Sequence, residues 1–284
     1  MARLFRRAVE VLITRIDESS FFKVGPNAAK ITGLRVAFNV EKQLSKDPNT
    51  CNIEISNLSE DTRAALQQKP LKLFLSAGYE DELKQIFAGD IRWTESMRVQ
   101  TGWTTKIQVG DGERAMKNAR TNRSYIGGVK YGDVIKQLTD DMGLSIPTNL
   151  SEAKEFTDRL VNGDVMQGPS SESLERMLES KGFRFSIQDE TLQVLKNGEA
   201  RRNIALVVNK DNGMIGTPGF GSPSQKGKPA MLKIDNLLYP EINPGIKLQV
   251  ESLTANGLFR AERVQHVGDT HGSDWTTAVE ATPL

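Results

Sequence analysis

Apolar residues fall on every second position in short runs, and that spacing constrains the chain more than any other feature. Val9, Val11 and Ile13 alternate, as do Leu34, Val36, Phe38 and Val40, then Ile53 and Ile55, then Leu71, Leu73 and Leu75. Successive side chains on a strand point to opposite faces, so each run predicts a strand with one buried face. Ile86–Ile91 and Thr105–Val109 add two more. Short strands at this spacing predict a barrel or sandwich over about the first 115 residues. Gly78 and Gly89 are expected in tight turns between these strands. One helix interrupts them: Ser59 is a good N-cap, Glu60 and Asp61 favour the first turn, and Pro70 stops it.

The period then changes. Val134, Ile135, Leu138 and Met142 form one helical stripe, ended by Gly143. A second helix is expected over about Ser171 to Lys181, with Leu174, Met177 and Leu178 on its apolar face and Gly182 after it. Phe183, Phe185 and Ile187 alternate, Asp189-Glu190 turns, and Leu192 and Val194 continue, which predicts a β-hairpin. The polar stretch 147–168 reads as a loop with weak strands. Residues 209–230, NKDNGMIGTPGFGSPSQKGKPA, predict no packed element. Beyond them, Met231–Ile234, Ile246–Val250, Leu258–Val267 and Trp275–Val279 read as strands, with Asn256-Gly257 as a hairpin turn.

The fold class is therefore α+β and mainly β: two barrel-like β domains with an inserted small α+β domain. The expected boundaries are an N-terminal β-barrel domain at 1–120, an α+β domain at 121–210, a linker or loop at 211–230, and a C-terminal β unit at 231–284. The last is too small to close a large barrel and is expected to pack on, or complete, the first one. A chain of 284 residues is long for one core, which agrees with several domains.

Charge excludes some partners. Lys and Arg number 37 against 36 Asp and Glu, so no global field draws the chain to nucleic acid or an anionic membrane. The N-terminal MARLFRRAVEVLITRI places basic before apolar residues, but Glu10 and Arg15 interrupt the run and no small-residue cleavage site follows. Neither export by an obvious signal nor a membrane anchor is expected. The single cysteine, Cys51, rules out an internal disulfide and reads as a small buried strand residue.

Candidate chemistry is sparse. The two histidines are His266, in an expected strand, and His271, in the polar loop Gly268–Asp274. Asp269, His271, Ser273 and Asp274 look superficially like a metal or acid-base cluster, but ligand spacing on a rigid element is missing, and a polar hairpin loop is the plainer reading. No nucleophile elbow accompanies a serine, and Cys51 has no helix N-terminus to activate it. Asp140-Asp141 and Glu80-Asp81-Glu82 are carboxylate pairs that read as solvated surface. Gly216–Gly221 lacks the Gly-Lys-Ser/Thr ending of a phosphate loop. Lys117, Arg120 and Arg123 with Tyr125, and Arg201-Arg202, are the basic spots a single-strand-binding barrel would use. No catalytic, cofactor-binding or metal-binding residue is assigned.

Short motifs in a fixed order carry a resemblance. Cys51–Arg63, reading CNIEISNLSEDTR, resembles a pattern in phage baseplate or tail hub proteins of the late control protein D-like family, where a strand ends in Asn-Leu-Ser and opens a short helix. Ala77–Tyr79, Ile86–Ile91 and Gly110–Glu113 follow in that family's order, as do Leu237–Pro240, Pro244-Gly245, and His266–Thr270 before Trp275–Thr277. Pro244-Gly245 suits a type II-like turn. The resemblance implies a structural virion protein at the tail tip or baseplate, made in the host cytoplasm, and not an enzyme. It implies a homotrimer whose β domains form a pseudo-sixfold ring, joining the sixfold tail tube to the threefold central spike. DNA would pass its channel only as cargo. The alternatives are a hub component of a related contractile injection or secretion apparatus, a tail-associated cell-wall hydrolase, and a nucleic-acid-binding barrel.

Overall fold

The alternating runs fold as strands in a computed structural model that describes residues 6–15, 29–68, 70–80, 82–144, 154–201, 205–221 and 230–284. Two units divide them: one lies within Met1–Leu44, Asn49–Gly110 and Ala200–Leu284, the other within Ser45–Pro48 and Asp111–Glu199. The first unit opens with β1 (Arg7–Arg15), β2 (Ala29–Ile31), β3 (Val36–Gln43), β4 (Thr50–Ser56), helix α1 (Glu60–Ala65), β5 (Leu71–Tyr79), β6 (Glu82–Val99) and β7 (Gly102–Gly110). Val11, Val40, Ile55, Leu73 and Leu75 are completely buried, so alternation reports the inward face correctly. Ser59 caps α1 as expected, its side chain accepting from Thr62 N at 3.2 Å.

The chain returns to this unit with β12 (Leu206–Val208), a 3-10 turn (Lys210–Asn212), β13 (Met214–Phe220), β14 (Leu232–Leu237), β15 (Lys247–Glu251), β16 (Asn256–Asp269) and β17 (Trp275–Pro283). One sheet runs β13-β14-β17-β16-β3-β4-β7-β6-β5-β1-β2, with β15 on β16 and β12 on β15. The unit is β-rich and almost entirely antiparallel; among the described strands only the β12–β15 pair is parallel. Among the described strands its hydrogen-bonded path stays open, with β2 and β13 as ends, so closed barrels become lobes of one continuous sheet.

Two cores lie against that sheet. The larger gathers Phe38, Ile53, Leu73, Phe87 and Ile107, together with Leu238 and Trp275 from the far end of the chain. The smaller gathers Val208, Leu232, Ile234, Leu248, Phe259, Val264 and Val279. Strand β16 belongs to both lobes: Asn256–Arg260 pairs with β15, whereas Arg263–Asp269 pairs with β3. A register shift against β17 between Ala261 and Arg263 marks the change, since an extra residue bends and twists a strand.

The second unit contains α2 (Glu113–Asn118), β8 (Arg120–Tyr125), α3 (Tyr131–Asp141), α4 (Lys154–Thr157), β9 (Asp164–Pro169), α5 (Ser170–Glu179), β10 (Phe183–Gln188) and β11 (Thr191–Lys196). β8 pairs with β9 and β10 with β11. Val134, Ile135 and Leu138 of α3 meet Leu174, Met177 and Leu178 of α5 in one core with Phe183, Phe185 and Ile187. Gly143 and Gly182 adopt left-handed φ values of 66° and 76°, ending the helices where the sequence predicts.

Four local expectations change. The segment 211–230 is not simply a linker, because β13 lies in it and pairs with β14. The stretch 147–168 contains α4 and the start of β9. The β15–β16 turn is Ser252–Ala255 rather than Asn256-Gly257: Ser252 Oγ accepts the Ala255 N–H at 2.9 Å, and Asn256 already pairs with Glu251. Gly78 and Gly89 lie inside strands. A Cβ there would meet the Glu82 carbonyl oxygen at 2.3 Å and that of Gly110 at 2.4 Å, so close backbone approach is the reason for glycine. The Pro244-Gly245 turn forms as expected, with Gly245 at φ 85° and Ile246 N donating to Asn243 O at 3.2 Å.

Candidate functional site

The histidines do not converge on shared chemistry. His266 is fully buried in β16, its Nδ1 lying 2.9 Å from Thr277 Oγ1, which also accepts the Tyr239 N–H. Burial, then the nearby charge of Lys42, pushes its pKa down to about 3 against the pull of the Ile242 carbonyl, so it is neutral at ordinary pH. Lys42 is itself only 2% exposed and donates to Asn243 Oδ1 at 2.9 Å, tying β3 to the loop before β15. His271 is exposed, with its Nδ1 3.0 Å from Thr270 Oγ1.

The loop Gly268–Asp274 is a clamp. Arg35 grips the Asp269 carboxylate with two bonds, Nε to Oδ1 at 3.2 Å and Nη2 to Oδ2 at 2.6 Å. The His271 N–H donates to Oδ1 at 2.9 Å. Arg7 donates to the carbonyls of Asp269 at 3.1 Å, Gly272 at 2.7 Å and Ser273 at 3.1 Å, and its guanidinium lies 5.4 Å above the Trp275 ring. Asp269, His271 and Ser273 are thus drawn together, but into an anchor that joins β1, β3 and the β16–β17 hairpin. Asp274 contributes a bond from Ser273 Oγ at 3.3 Å. Among the described residues no group of three His, Cys, Asp or Glu could hold a metal ion.

The clamp titrates. Arg35 hydrogen bonding, helped by the backbone N–H groups of His271 and Gly272 and opposed by burial, holds the Asp269 pKa down to about 2. A depressed carboxylate stabilises the fold above its unfolded pKa, and that contribution is lost as pH falls through the folded value. Stability is therefore expected to drop between about pH 4 and pH 2. Arg35 is half-exposed, so the drop assigned to this pair is about 1 kcal/mol, below the full value of the shift. Urea unfolding of the wild type and of Arg35→Met across that range checks this. An equal acid loss in both would show that the pair is not its source.

The remaining candidates hold structure. Cys51 is buried in β4. Asp141 pairs with Arg123, Glu80 with Arg6, and Lys117 with Glu113, while Tyr125 Oη donates to Gln137 Oε1 at 2.9 Å. Of the first expected basic spot, Lys117 and Arg123 are thus matched by carboxylates. Gly216–Phe220 lies in edge strand β13. Asp81 and Arg202 lie outside the described residues. Arg7 and Arg35 had no local signal, since their partners lie more than 230 residues away.

What faces outward suits contact with other proteins. The long β6–β7 hairpin exposes Trp93 at 46%, with Val99 and Trp103 also exposed, and Arg63 stacks 3.8 Å from the Trp103 ring centre. Strand β13 ends the sheet and exposes Ile215 and Phe220, with Pro218 breaking its donor row. Exposed large aromatics and uncovered strand edges mark interaction surfaces. No helix among the described residues is long and apolar enough to cross a membrane.

Solved structures share this fold. The 43 kDa tail protein of prophage MuSo2 from Shewanella oneidensis superposes with a TM-score of 0.67 at 8% identity, covering 96% of both chains. The tail protein from Neisseria meningitidis MC58 gives 0.63 at 11% identity, over 98% of this chain and 96% of that one. The E. coli c3393 protein, a component of the type VI secretion system, gives 0.61 at 11% identity, over 88% of this chain and 73% of that one. No curated protein sequence matches. The profile of the Baseplate hub gp41 family, however, matches residues 21–258. That span takes in the strand-to-helix motif at Asn57–Ser59 and strands β2 to β15, and the chain belongs to the baseplate hub gp41 family, structural proteins of the phage tail.

Proposed function

We propose that three copies of this chain form a ring on the tail axis, which joins the sixfold tail tube to the threefold central spike and encloses the DNA channel. The observation that carries this reading is the pair of β cores under one sheet, joined through β16. A trimer of such chains offers six β lobes to a sixfold partner while keeping threefold symmetry for a spike, and a closed ring avoids open-ended growth. Its partners are tail tube or distal tail proteins above and a spike protein below. The role is adapter rather than enzyme: His266, Cys51 and Asp269, the candidates drawn from the sequence, are engaged in holding the fold. Assembly takes place in the virion tail tip after synthesis in the host cytoplasm.

The expected result is a mass of three chains by light scattering of purified protein, or threefold density at the tail tip of purified particles. A monomer at all concentrations, combined with tails that lack the chain at their axis, would refute the adapter. Clearing of peptidoglycan in a zymogram by the purified chain would refute the non-enzymatic reading.

A further inference from the structure

A cleft of about 240 Å³ in the first unit has Tyr79, Glu82, Lys84, Asn236, Tyr239 and Glu241 on its walls, and touches the clamp only through Tyr79, which pairs across the sheet with Arg7. Pairing of β5 with β6 sets Tyr79 opposite Glu82. The chain leaving β14 brings Tyr239 and Glu241 to the same mouth. Lys84 is ion-paired with Glu241. Two carboxylates against one ammonium leave the mouth negative. Tyr239 registers that field: burial raises its pKa, and Glu241 and Glu82 raise it further. Asn236, only 1% exposed, donates to the carbonyls of Asn212 and Leu237, while its Oδ1 is buried with no hydrogen-bond partner among the described residues. A buried acceptor without a donor is costly unless something supplies one.

Carboxylates, a waiting acceptor and two aromatic rings together favour a planar cation with several N–H donors. We propose that this cleft receives an arginine side chain from a partner protein. The stem lies along Tyr79, Leu238 and Tyr239, and the guanidinium meets Glu82 and Glu241, with an N–H directed to the Asn236 floor. The volume suits one long side chain, about eight waters' worth. Lys84 holds Glu241 in the empty state and yields it on binding. The adapter reading supplies only the source of the arginine; binding itself is a property of the cleft.

The test titrates the full chain, labelled with fluorotyrosine, with N-acetyl-arginine amide and follows the four tyrosine signals. Saturable shifts assigned to Tyr79 and Tyr239 are expected. Glu82→Gln and Glu241→Gln should each weaken binding about tenfold, whereas Lys84→Ala should tighten it severalfold by freeing Glu241. Inorganic phosphate should give no saturable shift. These positions are exposed or half-buried, and thermal melts confirm that each variant is folded. No saturable shift with the arginine amide, weaker binding in Lys84→Ala, or saturation by phosphate would each overturn the proposal. A trimer without arginine binding fails only this proposal, and arginine binding by a chain that never trimerises fails only the adapter.

Discussion

Truncating Trp275 to alanine is expected to cost about 3–5 kcal/mol, a large part of the stability of an ordinary domain. The indole is 2% exposed and meets Phe38 edge-on at 5.7 Å and Tyr79 at 6.5 Å, with Arg7 lying over it. It starts β17 yet belongs to the core of β1–β7, so its removal opens a void where the two lobes meet. Adjacent Gly268 has no room to compensate, since a Cβ there would meet the Phe38 ring at 2.4 Å. Trp275→Phe should recover more than half of the loss. Guanidinium unfolding followed by circular dichroism measures both. A loss below about 1 kcal/mol for the alanine variant would show that the lobes are held together by pairing alone.

The second unit has an equally exposed dependence on one side chain. Asp111→Ala is expected to cost about 2–4 kcal/mol. Asp111 is completely buried, and its two carboxylate oxygens accept the N–H groups of Asp189 and Glu190, both at 2.7 Å. Those two residues turn β10 into β11 with φ values of 53° and 63°, a left-handed backbone that side chains other than glycine adopt only at a cost. The carboxylate holds the turn in that form. Asp111→Asn retains one good acceptor and should lie between wild type and alanine. Hydrogen exchange at the Asp189 and Glu190 amides gives a local readout. Unchanged protection there in Asp111→Ala would refute the assignment even if global stability fell.

Much of this architecture is legible because local and global preferences agree. Leu71, Leu73 and Leu75 alternate and are buried; Leu174, Met177 and Leu178 fall on one helical face and are buried; Ser59 and Gly143 punctuate as their chemistry requires. What escaped the sequence was set by distant partners. Nothing near Met214–Phe220 announces a strand, because its glycines and proline suit a loop, and only pairing with β14 makes it extended. Asp111 looks like a surface turn residue until β10–β11 folds over it. The polar letters of Gly268–Asp274 suggest chemistry, and their real occupation appears only when Arg7 and Arg35 arrive. Glycine marks both turns and close backbone approach, and at Gly78 and Gly89 spacing alone does not separate the two.

The seam between β3 and β16 also imposes an order in time. Asn39 and Gln265, which bond across it, are 226 residues apart. At the usual pace of translation, β3 leaves the ribosome roughly ten to forty seconds before the strand that pairs with it. Until then one edge of β3 lacks its partner, and the larger core lacks Trp275. A nascent chain that still lacks β16 and β17 therefore carries an open edge on β3 and an incomplete core. Long-range pairing of this kind makes folding slow. In the proposed ring, slowness of that sort would act as a safeguard: closure would wait until the β3–β16 seam had formed, and copies without that seam would be left out.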